Sequence, residues 1–217
     1  MDVNVKVAVR CRPMSAKELA RNCSNIVAIS QNSLTIKPPP DSQTNIDDKI
    51  FTFDYAYDGD STQVQVYRDL GLPIITQALD GFNGTIFAYG QTGSGKTFSM
   101  MGSDTNKGII PLLNDELWLK LMEKRALANE QQEDSLTSGV DEEKGNGSGK
   151  IPSHPKVKIQ FLVTVSYLEV YNEDIKDLLN PSDKKLKIHE SPDLGIFVEG
   201  LCELVSILIT PMLLSFI

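Results

Sequence analysis

The stretch Gly90-Gln91-Thr92-Gly93-Ser94-Gly95-Lys96-Thr97 constrains this chain more than any other. It matches the pattern Gly-x-x-x-x-Gly-Lys-(Ser/Thr) at every fixed position. The spacing has a physical meaning. Glycine reaches backbone conformations closed to other residues, so the chain can curl until successive amide N–H groups point inward around a phosphate. A helix that starts at the lysine adds the positive end of its dipole. Lys96 brings a point charge to the β- and γ-phosphates of a nucleotide, and the Thr97 hydroxyl is a ligand for Mg²⁺. The motif demands a strand before it and a helix after it. Thr85-Ile86-Phe87-Ala88-Tyr89 is a short apolar run bounded by glycines and reads as a buried strand, and the residues after Lys96 can be helical. By itself the loop defines a P-loop nucleotide-binding protein and no more, since kinases, transporters, GTPases and motors all use it.

The remaining sequence narrows the class. A chain of 217 residues, 41% hydrophobic and 23% charged, can bury one sizeable core or two small ones. The net charge is −8, and the densest basic cluster is only Lys184, Lys185 and Lys187. Such a chain is repelled by polyanions, which argues against a nucleic-acid partner. Cys11, Cys23 and Cys202 are too scattered for a disulfide frame, and with His154 and His189 they show no metal-ligand spacing. The N-terminus has no apolar signal region. The apolar stretch from Leu204 to Ile217 contains Pro211 and is shorter than the roughly 20 residues a membrane span needs. A cytoplasmic protein is the expectation.

Along the chain, alternating Val3, Val5, Val7 and Val9 predict a strand stopped by Pro13. Residues 26–29 and 34–36 predict a hairpin, and Lys49–Tyr57 predicts another strand. Ser61 or Thr62 caps a helix through Val64, Tyr67 and Leu70, and Pro73 opens the next, Ile74–Leu79. Ile110–Met122 reads as helical. From about Glu123 to Pro155 the composition turns to Glu, Gln, Asp, Ser, Gly and Asn, which predicts a disordered insertion. Val157–Val170 predicts one long strand, Asn172 a capped helix through Ile175 and Leu179, and Leu186–His189 with Ile196–Val198 a second hairpin.

The segment Asn83–Thr97 resembles the signature of the kinesin motor domain. Val9-Arg10-Cys11-Arg12-Pro13, Phe51-Thr52-Phe53-Asp54, Ser166–Glu173 with Asp177-Leu178-Leu179, and His189-Glu190 through Gly200-Leu201 resemble further segments of that family in the same order. The last is most like the kinesin-3 branch. The resemblance covers about Val3 to Val205. It implies an α/β fold of P-loop NTPase type, with a central mixed sheet flanked by helices, here an incomplete motor domain over residues 1–205 with a divergent apolar tail at 206–217. It also implies ATP and Mg²⁺ as ligands, the microtubule as partner and a microtubule-associated location. Gly90, Gln91, Thr92, Gly93, Ser94, Gly95, Lys96 and Thr97 then hold the phosphates, with Thr97 on the metal. Arg10, Arg12, Pro13 and Phe98 take the adenine side, where a flat base stacks on a ring or a guanidinium plane. Phe98 has an alternative as a core aromatic, and Tyr171 reads as a core residue.

Two further family segments do not occur in the sequence: Asn-x-x-Ser-Ser-Arg-Ser-His and Asp-Leu-Ala-Gly-Ser-Glu. In kinesins these position water and sense the γ-phosphate, so no catalytic residue is identifiable and little ATP turnover is expected from these residues alone. The alternative is a non-catalytic interaction protein on a kinesin scaffold. An unrelated phosphotransferase leaves the flanking matches unexplained.

Overall fold

The computed structural model describes residues 5–40, 47–137, 161–182, 184–193 and 195–207. They fall in two compact units, Met1–Leu117 and Trp118–Ile217.

The first unit begins with β1 (Ala8–Arg10) and α1 (Ala16–Ala20). Next come β2 (Val27–Ser30), β3 (Ser33–Ile36), β4 (Lys49–Thr52) and β5 (Tyr55–Tyr57). The ordering of α1 has a local cause. Ser15 accepts from the Glu18 amide while the Glu18 carboxylate accepts from the Ser15 amide, a reciprocal capping box. Strands β2, β3 and β4 form an antiparallel sheet, with Val27 opposite Ile36 and Leu34 opposite Phe51. The predicted hairpin is present, and Gln31 takes the left-handed conformation its tight turn requires (φ 53°).

Strand β1 pairs with β5 in parallel, Ala8 opposite Tyr55 and Arg10 opposite Tyr57. Both strands are shorter than the sequence suggested. The Val7 amide donates to the Asp54 carboxylate at 2.8 Å instead of to a strand, which ends β1 early. Asp54 also bends the chain between β4 and β5, so the expected single strand Lys49–Tyr57 is two. Of the other predicted β1 residues, Val5 is exposed and Val3 lies outside the described residues.

Thr62 caps α2 (Gln63–Val66) by accepting from the Gln65 amide. The helix passes through a π-helical turn, Tyr67–Gly71, into α3 (Leu72–Leu79). Pro73 has no N–H to give to the preceding turn, and that wider turn is where the helix absorbs the loss. The core of this unit is Tyr57, Val66 and Ile109, with Ala8, Tyr55, Leu70, Ile86 and Met100 packed around it. Side chains of this size contribute about 1.5–3 kcal/mol each when fully buried.

Thr85–Tyr89 does not form the predicted buried strand. An extended segment becomes a strand only when a neighbour meets its N–H and C=O groups, and no described residue pairs with it. Ile86 turns toward the core, but Phe87 is 78% and Tyr89 94% exposed. The loop leads into α4 (Lys96–Met100), then the small hairpin of β6 (Gly102–Ser103) and β7 (Asn106–Lys107). Helix α5 runs Ile109–Thr137, past the expected end at Met122. Glu123-Lys124-Arg125-Ala126-Leu127 are strong helix formers, and no Gly or Pro interrupts the chain before Gly139. The predicted disordered insertion at 123–155 is therefore helical over its first part, and residues 138–155 lie outside the described residues.

The second unit holds β8 (Leu162–Val165), β9 (Leu168–Tyr171), β10 (Asp174–Asp177), β11 (Ile188–Ser191), β12 (Gly195–Val198) and β13 (Leu204–Ile207). They pair antiparallel as β8 with β13, β9 with β10 and β11 with β12. The predicted long strand Val157–Val170 is broken between β8 and β9, and its start lies outside the described residues. The predicted helix after Asn172 is a hairpin. Asn172 (φ 47°) and Glu173 (φ 68°) are both left-handed, the geometry of a two-residue turn that folds β10 back onto β9. Tyr171, expected in the core, is 66% exposed on that hairpin. The nearly buried Asp177 ties the unit together: one carboxylate oxygen accepts from the Leu179 and Asn180 amides, the other from Cys202. Burial raises its pKa, but the three N–H bonds outweigh that and hold it below the usual value. Ser206 and Ile207 belong to β13, whereas 208–217 of the expected tail lie outside the described residues.

Candidate functional site

The loop between Tyr89 and Phe98 is curled by its glycines. Gly93 (φ 78°) and Gly95 (φ 99°) both adopt the left-handed region. A Cβ on Gly90 would come within 2.5 Å of the Ser94 hydroxyl oxygen. The Ser94 amide closes a turn onto the Gln91 carbonyl at 3.1 Å. Among the described residues, the amide N–H groups of Gly93, Gly95, Lys96 and Thr97 find no backbone acceptor. Lys96 donates to the carbonyls of Gly90 and Gln91 at 2.8 and 2.9 Å, so its ammonium lies across the loop. Thr97 is exposed. Helix α4 is only five residues long, so the expected dipole is small and the amides carry the cradle. Amides without backbone acceptors, open space beside Gly93 and one ammonium fit a phosphate group.

Beside the loop lies a cleft of about 300 Å³. Its walls include Arg10, Arg12, Pro13 and Phe98, together with Ser94 and Gly95 of the loop. The four residues expected on the adenine side are thus brought to one cavity. Phe98 is 43% exposed, so it does not take the alternative position of a core aromatic. The Arg10 guanidinium carbon sits 5.2 Å from the centre of its ring. Burial pulls the Arg10 pKa below its ordinary value.

Three residues on this wall were not expected at the site from the sequence. Gln63, 7% exposed, accepts from Arg10 at 2.6 Å and donates to the Phe98 carbonyl at 2.6 Å. The Ser99 hydroxyl and the Ser61 carbonyl accept from Arg10 at 3.1 and 3.2 Å. Arg12 is held differently. Its guanidinium grips Glu18 with two bonds of 2.8 and 2.6 Å. Arg12 and the Ser15 contacts pull the Glu18 pKa down to about 2. The Ser15-x-x-Glu18 spacing, a capping-box pattern, could have announced the Ser15 contacts of Glu18 but not its grip on Arg12. Among the described residues, no group of three or more His, Cys, Asp or Glu is placed to hold a metal. No helix among them is long and apolar enough to cross a membrane.

A glycine-hinged phosphate loop on an α/β scaffold is the mark of a P-loop NTPase. The chain belongs to the kinesin motor domain family, whose description "Kinesin motor domain" matches residues 10–210. The match runs past Val205, where the resemblance was expected to stop. Kinesin-related protein 1 of Dictyostelium discoideum is 38% identical over 93% of this chain and 9% of its own length. Kinesin-like protein KIF13A of Mus musculus, a relative on the kinesin-3 side, is 38% identical over 94% of this chain and 11% of its own. The solved structure of a KIF14 segment, with ADP in complex with a microtubule, superposes with a TM-score of 0.68 at 30% identity. It is matched over 94% of this chain and 50% of that one. The chain therefore spans a small share of its curated relatives and half of the KIF14 segment.

Proposed function

We propose that this chain is the ATP-binding part of a kinesin-type microtubule motor. One observation carries the reading: the amides of Gly93, Gly95, Lys96 and Thr97, which find no backbone acceptor among the described residues, with Lys96 across the loop, adjoin a cleft walled by Arg10 and Phe98. The amides and Lys96 take the phosphate tail, with Gly90, Gln91, Thr92 and Ser94 shaping the loop around it. Arg10, Pro13 and Phe98 take the adenine. Arg12, locked to Glu18, stiffens the wall between them. Thr97 offers its hydroxyl to Mg²⁺. The metal, when bound, neutralises charge on the phosphate oxygens.

In the whole motor, ATP hydrolysis drives movement along the microtubule and places the protein on the cytoskeleton. The KIF14 segment, bound to ADP and a microtubule, supports this reading by family membership. These 217 residues alone bind nucleotide with little turnover, because the sequence contains neither the Asn-x-x-Ser-Ser-Arg-Ser-His nor the Asp-Leu-Ala-Gly-Ser-Glu segment. The test is a titration with a fluorescent ATP analogue and magnesium, comparing the parent chain with Lys96→Ala. Saturable binding by the parent and a loss of ten-fold or more in the variant are expected, on the order of one strong charged contact. Identical curves would overturn the proposal.

A further inference from the structure

We infer that Gln63 is a positioning residue for base recognition, assembling the adenine side independently of the phosphate loop. The inference rests on the nucleotide reading above. Gln63 is one of only two polar or charged side chains found buried among the described residues. Both ends of its amide are used. Its oxygen accepts from Arg10 on β1 at 2.6 Å, and its nitrogen donates to the Phe98 carbonyl on α4 at 2.6 Å. One side chain on α2 thus ties together the two residues whose faces would meet a base. The Arg10 guanidinium sits 5.2 Å from the Phe98 ring centre, with Ser99 and the Ser61 carbonyl taking its other N–H groups.

Holding Arg10 is not a cheap task for the fold. A half-buried guanidinium with a long, flexible stem settles into one orientation only if several acceptors fix it. Gln63 supplies the shortest of those bonds and at the same time anchors the backbone under the ring. Among the described residues the hydrogen-bond partners of the Gln63 side chain are Arg10 and Phe98, neither of them within Gly90–Thr97. Phosphate binding and base binding therefore respond differently when Gln63 is changed, which a merely structural residue would not produce.

The test measures two ligands on three proteins: a fluorescent ATP analogue with magnesium, and inorganic tripolyphosphate with magnesium as its competitor lacking a base. In Gln63→Leu the ATP analogue should bind about ten-fold more weakly, while the dissociation constant of tripolyphosphate stays within about two-fold of the parent. Gln63→Glu keeps the acceptor for Arg10 but loses the donor to the Phe98 carbonyl, so its ATP affinity should fall between those of the parent and Gln63→Leu. If Gln63→Leu does not fold, Gln63→Met carries the comparison, because its unbranched side chain is close in length to glutamine and lacks both the amide acceptor and the amide donor. The same selective loss is expected. Equal weakening of both ligands, or none of either, overturns the inference while leaving the nucleotide reading intact. A parent chain that binds neither ligand overturns both.

Discussion

The Arg10 guanidinium covers the face of the Phe98 ring at 5.2 Å, joining β1 to the helix that follows the phosphate loop. The two residues are 88 positions apart in sequence and share one wall of one cleft. Their pairing also limits how a base can bind. A separation of this size leaves no room for a ring between them, so a base bound as proposed would have to lie against the outside of the pair.

Removing the ring should therefore weaken base binding without touching the phosphate cradle. Stacking of a base on an aromatic side chain contributes about 1–3 kcal/mol. Phe98→Ala is expected to raise the dissociation constant of an ATP analogue by about ten-fold or more, and Phe98→Tyr to leave it nearly unchanged. Equilibrium titration by fluorescence anisotropy reads both.

Gly95 stands at φ 99°, directly before Lys96. Left-handed backbone costs an ordinary residue roughly 1–2 kcal/mol. Gly95→Ala should either strain the loop or open it, and in both cases nucleotide affinity falls. The melting temperature should drop by only a few degrees, because the loop lies outside the cluster of Tyr57, Val66 and Ile109. Calorimetry and nucleotide titration on the same sample separate the two effects.

Ile109 belongs to that cluster and is 5% exposed. Ile109→Ala removes buried methyl groups and leaves a cavity, at a cost of about 2–5 kcal/mol. That is a large share of the stability of any domain. Urea unfolding should show a clearly lower midpoint, with circular dichroism at 222 nm as the readout.

The Arg12–Glu18 pair gives the chain an acid sensitivity with a defined sign. Glu18 is depressed in the folded state, from 4.5 to about 2. A depressed carboxyl stabilises the fold fully above its unfolded value and loses that contribution as pH falls through the folded one. The window is thus about pH 4.5 down to 2. Glu18→Gln should lower stability at neutral pH and flatten its decline across this window, followed by circular dichroism at 222 nm in a pH series. Both side chains are partly exposed, so salt should shrink the effect.

How much of this was legible in the residues depends on the range over which each feature is decided. The phosphate loop was readable because its signal is local: glycines at fixed spacing, then Lys96 and Thr97. The hairpins at 27–36 and 188–198 were readable for the same reason, with turn residues between alternating apolar ones. The hairpin at Asn172-Glu173 was misread as a helix start. Asn caps helices and also tolerates the left-handed conformation, and only the following residue's geometry separates the two. The length of α5 was misread because polar composition suggested disorder, whereas the same residues are good helix formers.

The sequence by itself determined the family and the glycine-hinged form of the loop, since both lie in short contiguous patterns that need no partner. Tertiary structure alone decided that Thr85–Tyr89 has no strand partner among the described residues, that Gln63 links Arg10 to Phe98, and that Arg12 answers to Glu18. Strand pairing and buried hydrogen bonds depend on which distant groups the fold brings within reach, and that is set by the packing of the whole chain.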